Sequence, residues 1–123
     1  MKKPENTSEW KIEIYHHPNP EIRSFLTNIE ISAPRVENFK EPLEKDWDRA
    51  LKQLGFVGAQ VAKEIMAIRE VKEIYVKPKE IRIKKKASSS WEGIEKKVVE
   101  IIKRALRRKQ FKEIKHLGAS TTD

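Results

Sequence analysis

Few residue types in this chain could carry out chemistry, and their spacing argues against most of it. His16 and His17 are adjacent, so in a strand their imidazoles point to opposite faces and do not converge on one metal. His116 stands far along the chain, and a metal site would need carboxylate partners that the pattern does not single out. Glu44, Asp46 and Asp48 cluster where a helix is expected to begin, which suits capping and dipole compensation better than a general acid and base. The four glycines, at positions 55, 58, 93 and 118, cannot build a phosphate-cradling loop, and no seryl nucleophile motif is present. Cysteine is absent, which excludes thiol catalysis, cysteine-ligated zinc and an iron–sulfur cluster held by these residues alone. The expectation is no enzyme, no catalytic residue, no metal site and no cofactor.

Charge is the remaining signal. The 123 residues carry 27 Lys+Arg against 19 Asp+Glu, a formal net charge of +8. Residues 1–80 hold 14 of each sign, whereas residues 81–123 hold 13 basic and 5 acidic, so the whole excess lies in the last third. It is concentrated in Lys84-Lys85-Lys86 and in Arg104, Arg107, Arg108 and Lys109, two runs expected to join one positive patch. Such a patch fits an acidic protein partner or a phosphate backbone. Nucleic acid is the second choice, because the residues interleaved with the cations are aliphatic rather than stacking aromatics. Lysines on a solvated face that protects an edge strand are the plain alternative. No apolar run reaches the roughly 20 residues of a membrane span, the first nine residues lack a signal-peptide core, and the missing cysteines fit a reducing compartment. The chain reads as soluble and cytoplasmic, without a membrane partner.

The elements that must position these groups follow from hydrophobic periodicity. Residues 1–9 are polar and aperiodic, the mark of a flexible arm. From Trp10, Ile12 and Ile14 alternate with polar residues as in a half-buried strand, which stops at Pro18-Asn19-Pro20. A second extended stretch spans Ile22 to Ile31, an antiparallel neighbour of the first. Trp47, Ala50, Leu51 and Leu54 mark a short helix that Gly55 can end, and Val61, Ala62, Ile65, Met66 and Ile68 mark another. Ile74 and Val76, then Ile81 and Ile83, flank Lys77-Pro78-Lys79-Glu80 as a hairpin with a lysine-rich outer face. Ser89 and Glu92 suggest a capping box for a final helix whose stripe runs through Trp91, Ile94, Val98, Ile101, Ile102, Ala105 and Leu106 to about Arg108. Phe111 and Ile114 extend that helix or offer a self-association site. The fold class is α+β, a mainly antiparallel sheet with helices packed on one face, formed by residues 10–108 and followed by a basic, mobile tail at 109–123.

The order of these elements resembles the N-terminal domain of the Nfu/NifU-type iron–sulfur scaffold family. The resemblance rests on Pro18-Asn19-Pro20 before Phe25-Leu26, the helix Ala62 to Ile68, the strands Val71 to Val76 and Glu80 to Lys84, and Trp91 leading the last helix. Glu21, Glu70 and a longer stretch between Arg35 and Gly55 depart from the family pattern, and its Cys-x-x-Cys domain is missing. The resemblance implies a non-catalytic accessory module in cluster assembly or delivery. Such a module docks protein partners, iron–sulfur carriers or clients among them, and binds no cluster itself. The residues assigned to docking are Asn19, Lys84, Lys85, Lys86, Arg104, Arg107 and Arg108. Asn19 has a competing role in its own turn.

Overall fold

The computed structural model describes the backbone of residues 10–121 and the side chains of residues 10–108. Five strands and three helices follow in the order β1 (Ile12–His16), β2 (Ile22–Thr27), β3 (Glu37–Lys40), α1 (Trp47–Gln53), α2 (Gly55–Met66), β4 (Val71–Lys77), β5 (Glu80–Lys85) and α3 (Trp91–Thr121). The strands form one antiparallel sheet in the order β1-β2-β5-β4-β3. The α+β architecture is as the periodicity indicated. The expected arm at residues 1–9 lies outside the described residues, as do the side chains of Phe111, Ile114 and His116.

Strand register decides which side chains face inward. Phe25 lies opposite Ile14 and Ile81, and Ile74 lies opposite Phe39 and Ile83, so one face of the sheet is apolar across all five strands. Against it pack Val61, Ala62 and Ile65 of α2 and the α3 stripe Ile94, Val98, Ile102 and Leu106, each at most 1% exposed. Every such side chain of Val, Leu, Ile or Phe size contributes about 1.5–3 kcal/mol on burial. Among the described residues, the other face carries no helix. Its middle row runs Tyr15, Ser24, Arg82, Tyr75, Asn38 from β1 to β3.

Four details differ from the periodic reading. The second strand ends at Thr27, because the Thr27 hydroxyl donates to the Ile29 carbonyl and turns the chain; Ile31 is nonetheless buried, its N–H bonded to Pro78 O at 2.8 Å. A third strand, β3, forms at Glu37–Lys40, where only Phe39 is buried. Ser90 rather than Ser89 caps α3, its hydroxyl accepting the Glu92 N–H at 3.2 Å. The outer hairpin face is of mixed charge, with Glu73 and Glu80 among its lysines and Arg82.

Two glycines shape the helical layer. Gly55, with φ of 85°, lets the chain turn from α1 into α2 at no steric cost. Gly58 allows α2 to touch the segment after β2: a Cβ there would lie 2.6 Å from Ser32 Cβ and 3.1 Å from Ser32 Cα.

Candidate functional site

The basic residues assigned to docking are distributed over three surfaces. Strand alternation sends Lys84, opposite Ile22 and Glu73, to the outer face. Lys85, opposite Val71, points to the core side, where it is 9% exposed and its ammonium lies 3.4 Å from the carbonyls of Lys86 and Ala87. Lys86 pairs with Glu41 at 3.1 Å, beside the end of β3. The arginines lie on α3. Arg104 and Arg108 follow Trp91 by roughly 20 and 26 Å of helix rise, and the Trp91 indole itself packs against Pro20 and Arg23. Arg107 and Arg108 are exposed, while Arg104 forms a 2.9 Å ion pair with Glu64 of α2. Burial raises the Glu64 pKa, but hydrogen bonds from Gln60 and Arg104 and the charges of Arg104 and Arg108 outweigh it and hold the carboxyl below its ordinary 4.5.

Asn19 serves its turn. Its Oδ1 accepts the Glu21 N–H at 2.9 Å and its carbonyl accepts the Ile22 N–H at 3.0 Å, which reverses the chain between β1 and β2. The next residue, Pro20, presents its carbonyl to Trp91 Nε1–H at 2.7 Å, and the Arg23 guanidinium stacks 5.0 Å from the Trp91 ring while pairing with Glu95. The turn and the helix-leading tryptophan, far apart in sequence, thus form one joint.

On the outer face, His17 Nε2 lies 2.8 Å from Ser24 Oγ, which donates to Glu80 at 2.7 Å, and Lys77 and Arg82 flank the same carboxylate. Burial raises the Glu80 pKa, and the Ser24 hydrogen bond with the charges of Lys77 and Arg82 overrides it, so the group stays ionised below 4.5. His16 is on the opposite side of β1. Tyr15 (53% exposed) and Tyr75 (37% exposed) are the large apolar rings on this face, and Arg82 lies 6.0 Å from the Tyr75 centroid. These aromatics went unnoticed in the sequence because they are isolated among charges; their strand parity with Ser24 and Arg82 is the signal that locates them.

The acidic cluster lies at the start of α1, with Asp46 at the N-cap position, making no side-chain cap bond, and Asp48 in the first turn. It borders a groove of about 1320 Å³ between β3 and α1, where Lys40, Lys45 and Arg49 intersperse the acids. Among the described residues, no three His, Cys, Asp or Glu side chains come together in a way that could hold a metal ion.

A family model for the N-terminal part of the Nfu/NifU scaffold proteins matches residues 12–109. The chain belongs to this Nfu/NifU N-terminal family. Two solved structures share its fold. A protein designated SAV1430 from Staphylococcus aureus superposes with a TM-score of 0.55 at 17% identity, over 75% of this chain and 98% of that one. A NifU-like protein from Saccharomyces cerevisiae gives 0.60 at 14% identity, over 85% and 84%. No curated protein matches. Membership implies a role in iron–sulfur cluster assembly within a family of scaffold proteins that generally lack enzymatic activity. The family's iron–sulfur cluster does not fit the donors present, since the chain offers no thiolate and the described residues bring no imidazoles together. No helix of the described residues is long and apolar enough to cross a membrane.

Proposed function

We propose that this domain is a non-catalytic docking module in iron–sulfur cluster assembly or delivery, acting in the cytoplasm on clusters held by other proteins. The family match over residues 12–109 carries the reading. The donor inventory supports it, because these 123 residues offer a cluster no thiolate. The docking surface is the exposed basic part of α3, Arg104, Arg107 and Arg108, facing an acidic carrier or client protein; Lys84 and Lys86 lie on other surfaces and take no part in it, and Lys85 and Asn19 serve the structure. Reversing Arg107 and Arg108 to Glu removes two exposed cations and should leave the fold intact. The expected result is weaker capture of a cysteine-bearing scaffold or client in a low-salt pulldown, with an unchanged melting curve. Unchanged capture would refute this surface, and stoichiometric cluster uptake by the purified chain would refute the module's cargo role.

The outer sheet face favours a second reading. Exposed Tyr15 and Tyr75 with Arg82 form a platform of the kind that stacks single-stranded nucleic acid, although Glu13, Glu73 and Glu80 share the face. A gel shift at low salt, lost on Tyr75→Ala, would support it; no shift would remove it.

A further inference from the structure

The most exposed large apolar side chain of the described residues is Phe56, 72% accessible in the first turn of α2. It does not stand alone. With Leu51, Gly55 and Ala59 it lines a hollow of about 440 Å³ on the outer surface of α1 and α2, bordered by Lys52 and Lys63. Neither lysine has an ion-pair partner among the described residues, and Asp48 is the one carboxylate on the rim. Gln60 lines this hollow and also the narrow cleft between α2 and α3 bordered by Arg104 and Arg108. The one acid in that cleft, Glu64, is already bound by Gln60 and Arg104. An exposed aromatic ring therefore stands between Lys52 of α1 and Lys63 of α2, with Arg104 and Arg108 of α3 in the adjoining cleft; of the two neighbouring carboxylates, Glu64 is bound and Asp48 lies on the rim.

From this arrangement, and resting on the docking reading above, we infer that Phe56 is the anchor of the basic docking surface. Its occupant is a partner segment that presents an apolar side chain flanked by carboxylates. Charge complementarity selects such a segment: the rim cations attract acids and orient the encounter, and the ring supplies the desolvated contact that a purely electrostatic surface lacks. A segment with acids alone would bind weakly and lose its hold as salt rises. One with apolar residues alone would leave Lys52 and Lys63 facing no counter-charge.

The test uses two labelled helical peptides with the same number of glutamates, one carrying leucines along one face and the other serines at the same positions. Binding is measured by fluorescence anisotropy to the full chain and to Phe56→Ala, Lys63→Glu and the Arg107→Glu/Arg108→Glu double variant. The wild-type chain should prefer the leucine peptide by about tenfold. Phe56→Ala should erase the preference while retaining the weaker binding of the serine peptide, and the charge reversals should weaken both peptides. Equal binding of the two peptides, or a preference that survives Phe56→Ala, overturns the anchor and leaves the docking reading standing. Failure of both peptides to bind at low salt overturns the acidic-partner reading as well. Phe56 is at the surface, so its truncation leaves the core untouched, and coincident melting curves would show it.

Discussion

Replacing Gly58 by alanine should destabilise the domain even though alanine is the better helix former. Removing a glycine from a helix interior is worth about 1 kcal/mol in favour of the substitution. Against that gain, the new methyl would meet Ser32 Cβ at 2.6 Å, Leu54 Cβ at 3.0 Å and Ser32 Cα at 3.1 Å. None of these atoms is the tip of a flexible side chain. Restoring ordinary contact requires α2 and the Ser32 segment to separate by roughly 0.8 Å, in an interior packed at crystal-like density. Overpacking of this kind costs typically about 1–3 kcal/mol, so the net effect spans from neutral to a loss of about 2 kcal/mol, with the backbone contact placing it toward the upper figure. Gly93, in the first turn of α3, provides the control: nothing lies within 4 Å of a Cβ there, and Gly93→Ala should gain about 0.5–1 kcal/mol. Thermal melts followed by circular dichroism would separate the two, since about 1 kcal/mol moves the midpoint of a domain this size by roughly 4–8 °C. If Gly58→Ala raised the midpoint as much as Gly93→Ala, the close approach of α2 to Ser32 would be refuted.

Three further outcomes follow from named contacts. Trp91→Phe deletes the bond to Pro20 O and leaves that carbonyl short of a partner, so it should cost about 1–3 kcal/mol in urea denaturation, and a smaller effect than Arg104→Ala would contradict the joint. Ser24→Ala removes the buried hydroxyl between His17 and Glu80, with an expected loss of about 1.5–3 kcal/mol by the same measurement. Glu64 and Glu80 both have depressed native pKa values, so each binds its proton more readily in the unfolded chain; their stabilisation is complete above the ordinary 4.5 and is lost as pH falls through the native values. Acid titration of stability should therefore be less steep in Glu80→Gln than in wild type, and an identical slope would argue against the Ser24, Lys77 and Arg82 contacts.

What the residues revealed, and what they concealed, has a physical basis. Trp47, Ala50, Leu51 and Leu54 announced α1 because one face of that helix is buried and the other is not. The hairpin of β4 and β5 was legible for the same reason in period two. By contrast, β3 escaped notice because only Phe39 of its four residues is buried, with exposed Val36 before it and Pro42 soon after. Nothing in so short a pattern separates a strand from a loop. The lysine run misled in a different way. Read as composition, Lys84-Lys85-Lys86 is one positive cluster; read by parity, Lys85 shares a face with Ile81 and Ile83, and the structure puts it there. The hollow beside Phe56 was invisible because its members, Leu51, Phe56 and Lys63, come from two helices whose angle at Gly55 no periodicity encodes.

The strand order has a consequence for a chain being made from its N-terminus. The β1–β2 ribbon is complete once Thr27 has emerged, but its inward neighbour, β5, arrives only with Glu80–Lys85, and the tryptophan that clasps its turn comes later still. A two-stranded ribbon has little stability by itself. Until α3 follows, the apolar faces of Phe25, Ile14 and Ile12 have nothing to cover them, so nascent chains shorter than about the length of the domain should be the species most dependent on chaperones and most prone to self-pairing. Because α3 both lays the lid on the core and carries the arginines of the proposed docking surface, a chain cannot offer that surface to a partner before its own interior is closed.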